Sequence, residues 1–283
     1  MSKIDVDRYD VFLLITADRF TENDTWLRKE FHKRNKKYFV VRTKIAHDIS
    51  NNKKAHPRTH NEEAVVKAIR ESTEQHLEAT GCENVPVFLI DNYDLQKFDF
   101  EQLEHRLVED FPKLKKSALV LELQATSEKM IRLKVAQLRS TMWKAAASSA
   151  AVAALPVPGV SMVFDIGLVV GKADAYFKQF GLDETSLRRY ANLMGCDCQS
   201  LRCVVDSRLG FRVIGIESIK KLIQMLSKRA PMKEVARFIP AIGSVIAASL
   251  AYGLTYHSLE MILDKMESVA VEVVRAAADS ANF

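Results

Sequence analysis

The sequence predicts an α/β domain with three parallel strands, followed by an all-α domain. Two observations carry this prediction. Up to Pro112, short apolar runs alternate with segments of helical periodicity, which is the pattern of parallel strands joined by crossover helices. After Pro112 no run has the length and flanking turns of a strand, and helical periodicity is interrupted only by Pro and Gly. We therefore predict one domain over residues 1–116 and a second over residues 117–283.

Three apolar runs are the predicted strands. Residues 9–17, YDVFLLITA, form a continuous apolar run between charged residues, which is typical of a strand buried on both faces of a parallel sheet. Residues 37–42, KYFVVR, and residues 85–90, VPVFLI, are rich in β-branched and aromatic side chains. These runs predict three parallel strands in chain order.

Helices are predicted between and after the strands. Residues 21–34 have helical periodicity, with Asn23 or Asp24 available at the start, and residues 98–111 form a helix that ends before Pro112. Residues 46–60 are polar and predict a loop. Residues 61–80 predict a helix ended by Gly81 as a C-cap. Its expected inward face consists of Ala64, Val65, Ala68, Ile69, Ser72 and Leu77.

The second domain is predicted to begin with a long helix over residues 117–150 and to contain two apolar hairpins. A P-x-x-G turn lies within each of two uncharged stretches, residues 145–164 and 238–259, which contain 20 and 22 residues. Both stretches are long enough to span a bilayer, but a central turn leaves arms of only about ten residues. We interpret them as buried helical hairpins; a membrane-inserted hairpin and a true spanning helix are the alternatives.

A basic amphipathic segment occupies residues 213–229, VIGIESIKKLIQMLSKR. Its apolar residues form one stripe, as expected for a helix packed on its own domain. The basic residues lie mostly off that stripe, which also suits a helix on an anionic membrane surface. The membrane-surface candidates are Lys220, Lys221, Lys228 and Arg229.

Composition indicates a globular chain rather than a disordered one. Apolar residues make up 48% and charged residues 27%, the mean hydropathy is −0.08 and the net charge is +5. Basic and aromatic residues are not interleaved, so we expect no nucleic-acid partner. The first ten residues are charged and lack the apolar core of a signal peptide, which favours a cytoplasmic location.

A guanine-recognition motif is the clearest chemical signal. The strand over residues 37–42 runs into Thr43-Lys44-Ile45-Ala46, which matches strand then [NT]-K-x-D except that alanine replaces the final aspartate. That aspartate accepts hydrogen bonds from N1–H and the amine of guanine, and Ala46 has no acceptor to offer. Asp48 lies two residues further on, several ångströms from the required place. Thr43 and Lys44 remain candidates for a base pocket, with a solvated turn as the alternative reading.

A phosphate cradle is absent from the sequence. No G-x4-G-K-[ST] occurs, and the nearest string, Gly167 to Lys172, has three residues between its glycines and lies in a helical stretch. No D-x-x-G follows a strand before residue 37. Histidines are scattered, and Cys196, Cys198 and Cys203 lack the spacing of a zinc site. We therefore predict no catalytic residues and no metal.

The whole chain from Tyr9 onward resembles the interferon-inducible, immunity-related GTPases. The resemblance is carried by YDVFLLITADRF, FVVRTKIAHDI, VPVFLIDNYDLQKFDFEQL, ALPVPGVSMVFDIGLVV, FGLDETSL and FIPAIGSVIAASLAYGLTYHSLEMILD. It implies a GTPase (G) domain followed by a helical domain, GTP or GDP with Mg²⁺ as ligands, and GTP-dependent assembly at pathogen-containing vacuoles. By position, Thr43, Lys44 and Asn92 match residues at the base, whereas Ala46 and Asp91 depart from the family pattern.

The resemblance also implies that the first half of the G domain is missing: P-loop, both switches and three strands. We therefore expect a truncated G domain that binds no GTP, GDP or Mg²⁺ by itself, and a strand 9–17 with an unpaired edge. Three interpretations stay open. The chain is a regulatory or assembly partner of intact family GTPases or of itself, a GTPase whose P-loop half is missing from this sequence, or a helical module on membranes. Its expected location is cytoplasmic or peripheral on intracellular or vacuolar membranes.

Overall fold

The chain forms two compact units, Met1–Lys116 and Ser117–Phe283. A computed structural model describes residues 6–17, 20–79, 85–154, 160–210 and 244–281. In those residues the first unit contains a three-stranded parallel sheet with helices, and the second unit is helical. The predicted fold class, an α/β unit followed by an all-α unit, is confirmed.

The sheet has the strand order β1-β2-β3, with both pairs parallel. Its strands are β1 (Val11–Thr16), β2 (Lys37–Arg42) and β3 (Val87–Leu89). Leu14 lies opposite Val40, and Val40 lies opposite Val87, so one row of apolar side chains crosses all three strands. In the described part of the chain β2 is therefore central, and β1 forms an edge.

Helices follow each strand of the first unit. They are α1 (Glu22–Lys33), α2 (Ile45–Ala55), α3 (Glu62–Ala79) and α4 (Phe100–Asp110). The next helix, α5 (Lys113–Glu122), begins in the first unit and ends in the second. The N-cap of α1 is Thr21 rather than the predicted Asn23 or Asp24. Thr21 Oγ1 accepts a hydrogen bond from the Asp24 N–H at 3.3 Å, and Asp24 Oδ2 accepts one from the Thr21 N–H at 2.8 Å. These two bonds form a capping box, in which Thr21 is the N-cap and Asp24 is the third residue of the helix.

The predicted loop over residues 46–60 is wrong, because α2 occupies most of it. Local propensity for helix is poor in this segment, which contains Asp, Asn and His. Ile45 and Ile49 are one helical turn apart and are 0% and 8% exposed in the core of the sheet. Burial of these two side chains stabilises the helix, as tertiary packing commonly overrides weak propensity.

The two faces of the sheet are covered unequally. One face packs against α2 and α3 through Leu14, Val40, Ile45, Ile49, Leu77, Val87 and Leu89. The other face packs against α4 through Phe39, Val41, Phe88, Ile90 and Leu103. On this second face β1 contributes Leu13 and Ile15, which lie opposite Phe39 and Val41 but are 41% and 61% exposed. The prediction that this strand is buried on both faces is therefore wrong.

The second unit is built around two long antiparallel helices. Its described helices are α6 (Glu128–Ala153), α7 (Val160–Gln179), α8 (Glu184–Met194), α9 (Cys198–Leu209) and α10 (Ser244–Ala281). Contacts that join α6 to α10 include Glu128 to Arg275 at 2.7 Å, Arg139 to Asp264 at 2.5 Å, and Ser149 to Thr255 at 2.9 Å. The residue numbers rise along α6 as they fall along α10, so the two helices run in opposite directions.

The single long helix predicted over residues 117–150 is interrupted. α5 ends at Glu122, and α6 begins after Ser127, whose hydroxyl accepts a hydrogen bond from the Met130 N–H at 3.2 Å. Lys134, only 1% exposed, donates to the Leu121 carbonyl at 2.8 Å and so fastens the end of α5 to α6. A serine cap and one buried amine thus decide where the helix divides.

The predicted P-x-x-G turns, at residues 156–159 and 240–243, and the basic segment 213–229 lie outside the described residues. α6 ends just before the first turn, and α7 begins just after it. Among the helices that the structure describes, none combines the length and the apolar character needed to cross a bilayer. Gly195 and Gly210 end α8 and α9 with φ of 65° and 73°, a conformation that glycine adopts without strain.

Candidate functional site

The candidate site lies at the carboxyl ends of β2 and β3. Thr43 directly follows β2, and Asp91 comes two residues after β3. Because parallel strands end at the same edge of a sheet, the loops after them lie side by side, and ligands of open α/β sheets bind at this edge. The sequence-predicted residues Thr43, Lys44 and Asn92 all belong to these two loops.

Thr43 is a buried anchor between strands. It is 8% exposed, its N–H donates to the Thr16 carbonyl at 2.8 Å, and its hydroxyl donates to the same oxygen at 3.3 Å. The residue therefore extends the pairing of β2 with β1 by one step. The Thr43 hydroxyl donates its hydrogen bond within the protein, so its role in this structure is to join the two strands.

Lys44 turns the chain from β2 into α2. Its backbone has φ 63° and ψ 30°, the left-handed conformation that side chains other than glycine rarely adopt. Its carbonyl accepts hydrogen bonds from the N–H groups of His47 at 3.1 Å and Asp48 at 3.2 Å. This residue lets α2 begin immediately after the strand, while its side chain remains exposed.

Asp91 supplies the N-terminal cap of α2 from the neighbouring loop. The residue that precedes α2, Lys44, makes no side-chain capping bond. Instead Asp91 Oδ2 accepts a hydrogen bond from the Ala46 N–H at 3.1 Å, and Asp91 Oδ1 accepts one from the Tyr93 N–H at 2.9 Å. With only 6% of Asp91 exposed, its carboxylate satisfies two backbone donors and complements the positive end of the helix dipole.

Asp48, the alternative acceptor, is engaged in an ion pair. Its Oδ2 lies 2.7 Å from Arg42 Nη2, and the two side chains are 24% and 10% exposed. Arg42 Nη1 also donates to the Thr43 carbonyl at 3.2 Å. The pair connects the end of β2 to the first turn of α2, so the Asp48 carboxylate is engaged with a strand residue.

Asn92 is exposed next to the buried Asp91, and Tyr93 beside it is 83% exposed. The loop after β3 thus presents an amide and an aromatic ring to solvent. The structure places the predicted residues on one edge of the sheet. It joins the two loops directly through the hydrogen bond from Ala46 to Asp91, which sequence reasoning did not anticipate.

Asp99 is a second structural carboxylate that sequence reasoning missed. Its Oδ2 accepts hydrogen bonds from the Leu89 N–H at 2.8 Å and from Arg70 Nη2 at 2.5 Å. Asp99 directly precedes α4, which is the signature of an N-cap, yet its side chain makes no capping bond there. It instead fixes the end of β3 and, through Arg70, the adjacent helix α3.

Metal ligation has no support among the described residues, where no three His, Cys, Asp or Glu side chains form a candidate metal cluster. Cys196, Cys198 and Cys203 are free thiols. Desolvation by burial raises the pKa of the Cys196 thiol, which disfavours the reactive thiolate. Cys82 and the four membrane-surface candidates Lys220, Lys221, Lys228 and Arg229 lie outside the described residues.

Comparisons with known proteins agree on one family. The family model described as Interferon-inducible GTPase (IIGP) matches residues 1–276. Interferon-inducible GTPase 5 of Rattus norvegicus is 30% identical over 275 residues, and that of Bos taurus is 31% identical over 276 residues. T-cell-specific guanine nucleotide triphosphate-binding protein 2 of Mus musculus is 28% identical over 279 residues.

These alignments cover most of this chain but only part of each relative. They cover 96% of this chain and 59% of the rat and bovine proteins, and 98% of this chain and 65% of the mouse protein. The chain therefore spans about three-fifths of the length of the curated relatives it matches.

Proposed function

The chain belongs to the interferon-inducible GTPase family, and from this premise we propose that the 283-residue polypeptide neither binds nor hydrolyses GTP by itself. It acts instead as a regulatory or assembly partner, either of intact family GTPases or of a second copy of itself. The observation that carries the proposal is the hydrogen bond between Ala46 and Asp91, which holds the guanine loop in shape after its base-reading carboxylate has been replaced.

The Asp91 carboxylate, in the loop after β3, makes its hydrogen bonds within the protein. Both oxygens of Asp91 accept backbone N–H groups, and the residue is buried. A guanine base requires an acceptor that faces its N1–H and amine, and position 46 offers only a methyl group. A base bound here would leave its donors unpaired, which costs roughly 1–3 kcal/mol for each buried group.

The described residues also do not fit a magnesium–nucleotide phosphate group. The string nearest to a P-loop, Gly167 to Lys172, lies inside helix α7. There the backbone N–H groups make hydrogen bonds within the helix and do not form the open cradle that phosphates require. The proposal therefore includes no step that passes through GTP or Mg²⁺ on this polypeptide.

The edge of β1 supports an assembly role. Within the described residues β1 pairs only with β2, so its outer backbone groups are left for another strand. Leu13 and Ile15 lie exposed on the sheet face beside this edge. A strand from a partner would pair with the edge and cover both apolar side chains, which is the β-addition mode of recognition.

Nucleotide binding is tested by isothermal titration calorimetry of the purified polypeptide with GTP and GDP. We expect no heat of binding at protein concentrations near 100 μM, whereas an intact family GTPase that contains G-x4-G-K-[ST] serves as the positive control. Micromolar affinity of this polypeptide for either nucleotide would overturn the proposal.

Assembly is tested with Ile15→Lys, which places a charge on the exposed face of β1. We expect at least a tenfold loss of association with itself or with an intact family GTPase, measured by sedimentation velocity. Trp143→Lys is the matched control, because Trp143 is an exposed apolar residue of the second unit with 53% exposure. Equal association of the two variants and the unaltered protein would contradict a role for β1.

A second candidate function follows from the length of the relatives. Because the matches cover 59% of the rat and bovine proteins, this polypeptide also suits the guanine-motif part of a larger GTPase whose P-loop part lies outside these 283 residues. An in-frame G-x4-G-K-S upstream of Met1 in the genomic DNA, together with GTP binding by the extended protein, would favour this candidate. A stop codon directly upstream would exclude it.

Peripheral membrane association is proposed for the second unit on sequence grounds. The sequence of residues 213–229 predicts an amphipathic helix with one apolar stripe, and Lys220, Lys221, Lys228 and Arg229 lie mostly off that stripe. Co-sedimentation with vesicles of anionic lipid tests it, with all four residues changed to Glu in the comparison variant. Sedimentation that is absent, or that is equal for both proteins, would contradict the assignment.

A further inference from the structure

The outer edge of β1 has backbone groups that face away from the sheet. The Thr43 N–H donates to the Thr16 carbonyl at 2.8 Å, so the backbone groups of Thr16 face β2. Along a strand these groups point to one side and then the other from each residue to the next. The N–H and C=O groups of Val11, Leu13 and Ile15 therefore face away from β2, and no strand among the described residues pairs with them.

The same alternate residues carry the exposed apolar side chains of β1. Leu13 and Ile15 are 41% and 61% exposed, and residues 11–16, VFLLIT, contain no charge. Edge strands are usually protected by charged side chains, and an unprotected edge is a template for another strand. Only a strand satisfies a row of open N–H and C=O groups, so the chemistry of this edge selects a strand rather than a helix as its occupant.

A second copy of β1 fits this edge in an antiparallel register centred on Leu13. Leu13 then lies opposite Leu13 of the second copy, and Val11 lies opposite Ile15. The backbone groups of all three residues face outward, so opposite residues exchange two hydrogen bonds, as they do in the hydrogen-bonded pairs of an antiparallel ladder. The exposed side chains of the two strands lie on one face and cover each other. A two-fold axis relates the copies, so the contact is closed at a dimer.

Helix α1 lies above the β1–β2 pair on the other face of the sheet. The ring of Phe31 stacks on Phe12 of β1, with centroids 4.3 Å apart, and lies 5.6 Å from the ring of Tyr38 in β2. In the antiparallel register the β1–β2 pairs of the two copies are two strand spacings apart, which places their α1 helices about 10 Å from each other. Packed helices are commonly 8–10 Å apart. The register that pairs the strands thus also brings α1 into contact with its copy.

The charges of α1 are complementary to those of a second copy. Its first turn contains Glu22 and Asp24, and its last turn contains Lys33, followed by Arg34. The helix runs back along β1 to the amino end of that strand, where Arg34 pairs with Asp7 at 3.2 Å. In the antiparallel register the acidic start of each α1 lies beside the basic end of the other. Opposite charges therefore meet at both ends of the helix pair, which favours this chain as its own partner.

We propose that two copies of this chain associate through β1, antiparallel and with the two-fold axis at Leu13, to join their sheets into one. This inference rests on the assembly role proposed above, and it specifies the partner as a second copy and the register as the one centred on Leu13. Strand pairing supplies the backbone hydrogen bonds, Leu13 and Ile15 supply the apolar contact, and α1 supplies the charge pairing.

The test uses the full polypeptide with Leu13→Glu and Leu13→Lys, each alone and mixed in equal amounts, in sedimentation velocity at about 100 μM. The matched controls are Tyr93→Glu and Tyr93→Lys, because Tyr93 is 83% exposed and follows β3, the strand farthest from β1. We expect the unaltered protein and the controls to dimerise. Each Leu13 variant alone should associate at least tenfold more weakly, because two like charges then face each other across the two-fold axis.

The mixture of Leu13→Glu with Leu13→Lys decides the register. We expect it to regain the dimer, because opposite charges face each other only where residue 13 lies opposite residue 13. A monomeric unaltered protein, Leu13 variants that dimerise normally, or a mixture that stays monomeric would each overturn the proposal. A monomer that still associates with an intact family GTPase would overturn self-pairing and leave the assembly role standing. GTP binding by a polypeptide that dimerises as expected would do the reverse.

A cysteine variant provides a second measurement if circular dichroism shows that a charge at position 13 alters the fold. Leu13→Cys is made with the four native cysteines replaced by serine. Opposite residues of a hydrogen-bonded pair have Cα atoms about 5.5 Å apart, which is within the range of a disulfide. We expect a disulfide-linked dimer on oxidation, with at least tenfold less from Tyr93→Cys in the same background. Equal cross-linking of the two variants, or none from Leu13→Cys, would contradict the register.

Discussion

The carboxylate of Asp91 accepts a hydrogen bond from the backbone N–H of Ala46, 45 residues earlier in the chain, at 3.1 Å. This bond joins the loop after β3 to the first turn of α2. Alanine at position 46 removes a carboxylate from the guanine motif, and aspartate at position 91 places one within reach of the same turn. A carboxylate is therefore present in this region, but it accepts hydrogen bonds from the protein backbone instead of facing a base.

Asp91→Ala should destabilise the first unit by about 2 kcal/mol, because two backbone N–H groups lose their acceptor and α2 loses its cap. Urea unfolding followed by circular dichroism measures the change. Asn92→Ala is the control: the neighbouring residue is exposed, so a shift within about 0.5 kcal/mol is expected. Equal effects of the two substitutions would refute the capping role.

Ala46→Asp should restore the sequence motif without restoring nucleotide affinity. The new carboxylate would lie at the start of α2 beside Asp91, so we expect repulsion that lowers the free energy of unfolding by roughly 0.5–1 kcal/mol. Asp91→Ser in the same protein should relieve that repulsion, giving a favourable coupling of similar size in a double-mutant cycle. Additive effects, or calorimetric GTP binding by Ala46→Asp alone, would contradict this account.

Ser149 links three helices of the second unit through its hydroxyl. It donates to Asp165 Oδ1 at 2.5 Å and accepts from Thr255 Oγ1 at 2.9 Å, and the residue is 0% exposed. Ser149→Ala removes the hydrogen-bond partner of the buried Thr255 hydroxyl and of the half-buried Asp165 carboxylate, so we expect a loss of about 1–3 kcal/mol in urea unfolding. The adjacent Ser148, exposed on the same helix, provides the control: Ser148→Ala should be neutral or slightly stabilising. A neutral Ser149→Ala would show that the network contributes nothing.

The Tyr176 phenol makes the free energy of unfolding depend on pH in the alkaline range. Burial raises the pKa of Tyr176 to about 12. The unfolded phenol titrates near pH ~10, so between about pH 10 and pH 12 the folded state holds a proton that the unfolded state has lost. Stability contributed by this group is complete below about pH 10 and falls by ~1.4 kcal/mol per pH unit above it.

The measurement for Tyr176 is the difference in unfolding free energy between the unaltered protein and Tyr176→Phe from pH 8 to pH 12. The difference should be constant below about pH 10 and then shift in favour of the variant. The subtraction removes the lysine titrations that both proteins share. A difference that does not change with pH would mean that water reaches the phenol.

The strands and most helices of the first unit were predictable because their buried apolar residues recur in the sequence at the spacing of a strand or a helix. The segment KYFVVR at residues 37–42 coincides with β2, and the helix predicted over residues 61–80 is observed as Glu62–Ala79. Helix α2 was not predictable by the same means. Its sequence IAHDISNNKKA has low helix propensity, and only the core that receives Ile45 and Ile49 shows why it is helical.

In the candidate site, the sequence indicated loops that follow two neighbouring strands, but it did not indicate the hydrogen bond between those loops. Thr43, Lys44 and Asn92 were assigned from a motif, and all three follow neighbouring strands. The role of Asp91 depends on a contact across 45 residues, and no local pattern encodes such a contact. The same holds for Asp48, whose pairing with Arg42 is set by the direction in which α2 leaves β2.

The sequence by itself determined the family, the three strands and their order, and the presence of Ala46 where the guanine motif has aspartate. These are properties of residue type and spacing, which a chain carries whether folded or not. Only the tertiary structure decided that Asp91 caps α2, that Leu13 and Ile15 stay exposed, and that Asp48 pairs with Arg42. Each of those depends on which surfaces meet, because burial, hydrogen-bond satisfaction and charge pairing are settled between segments distant in the chain.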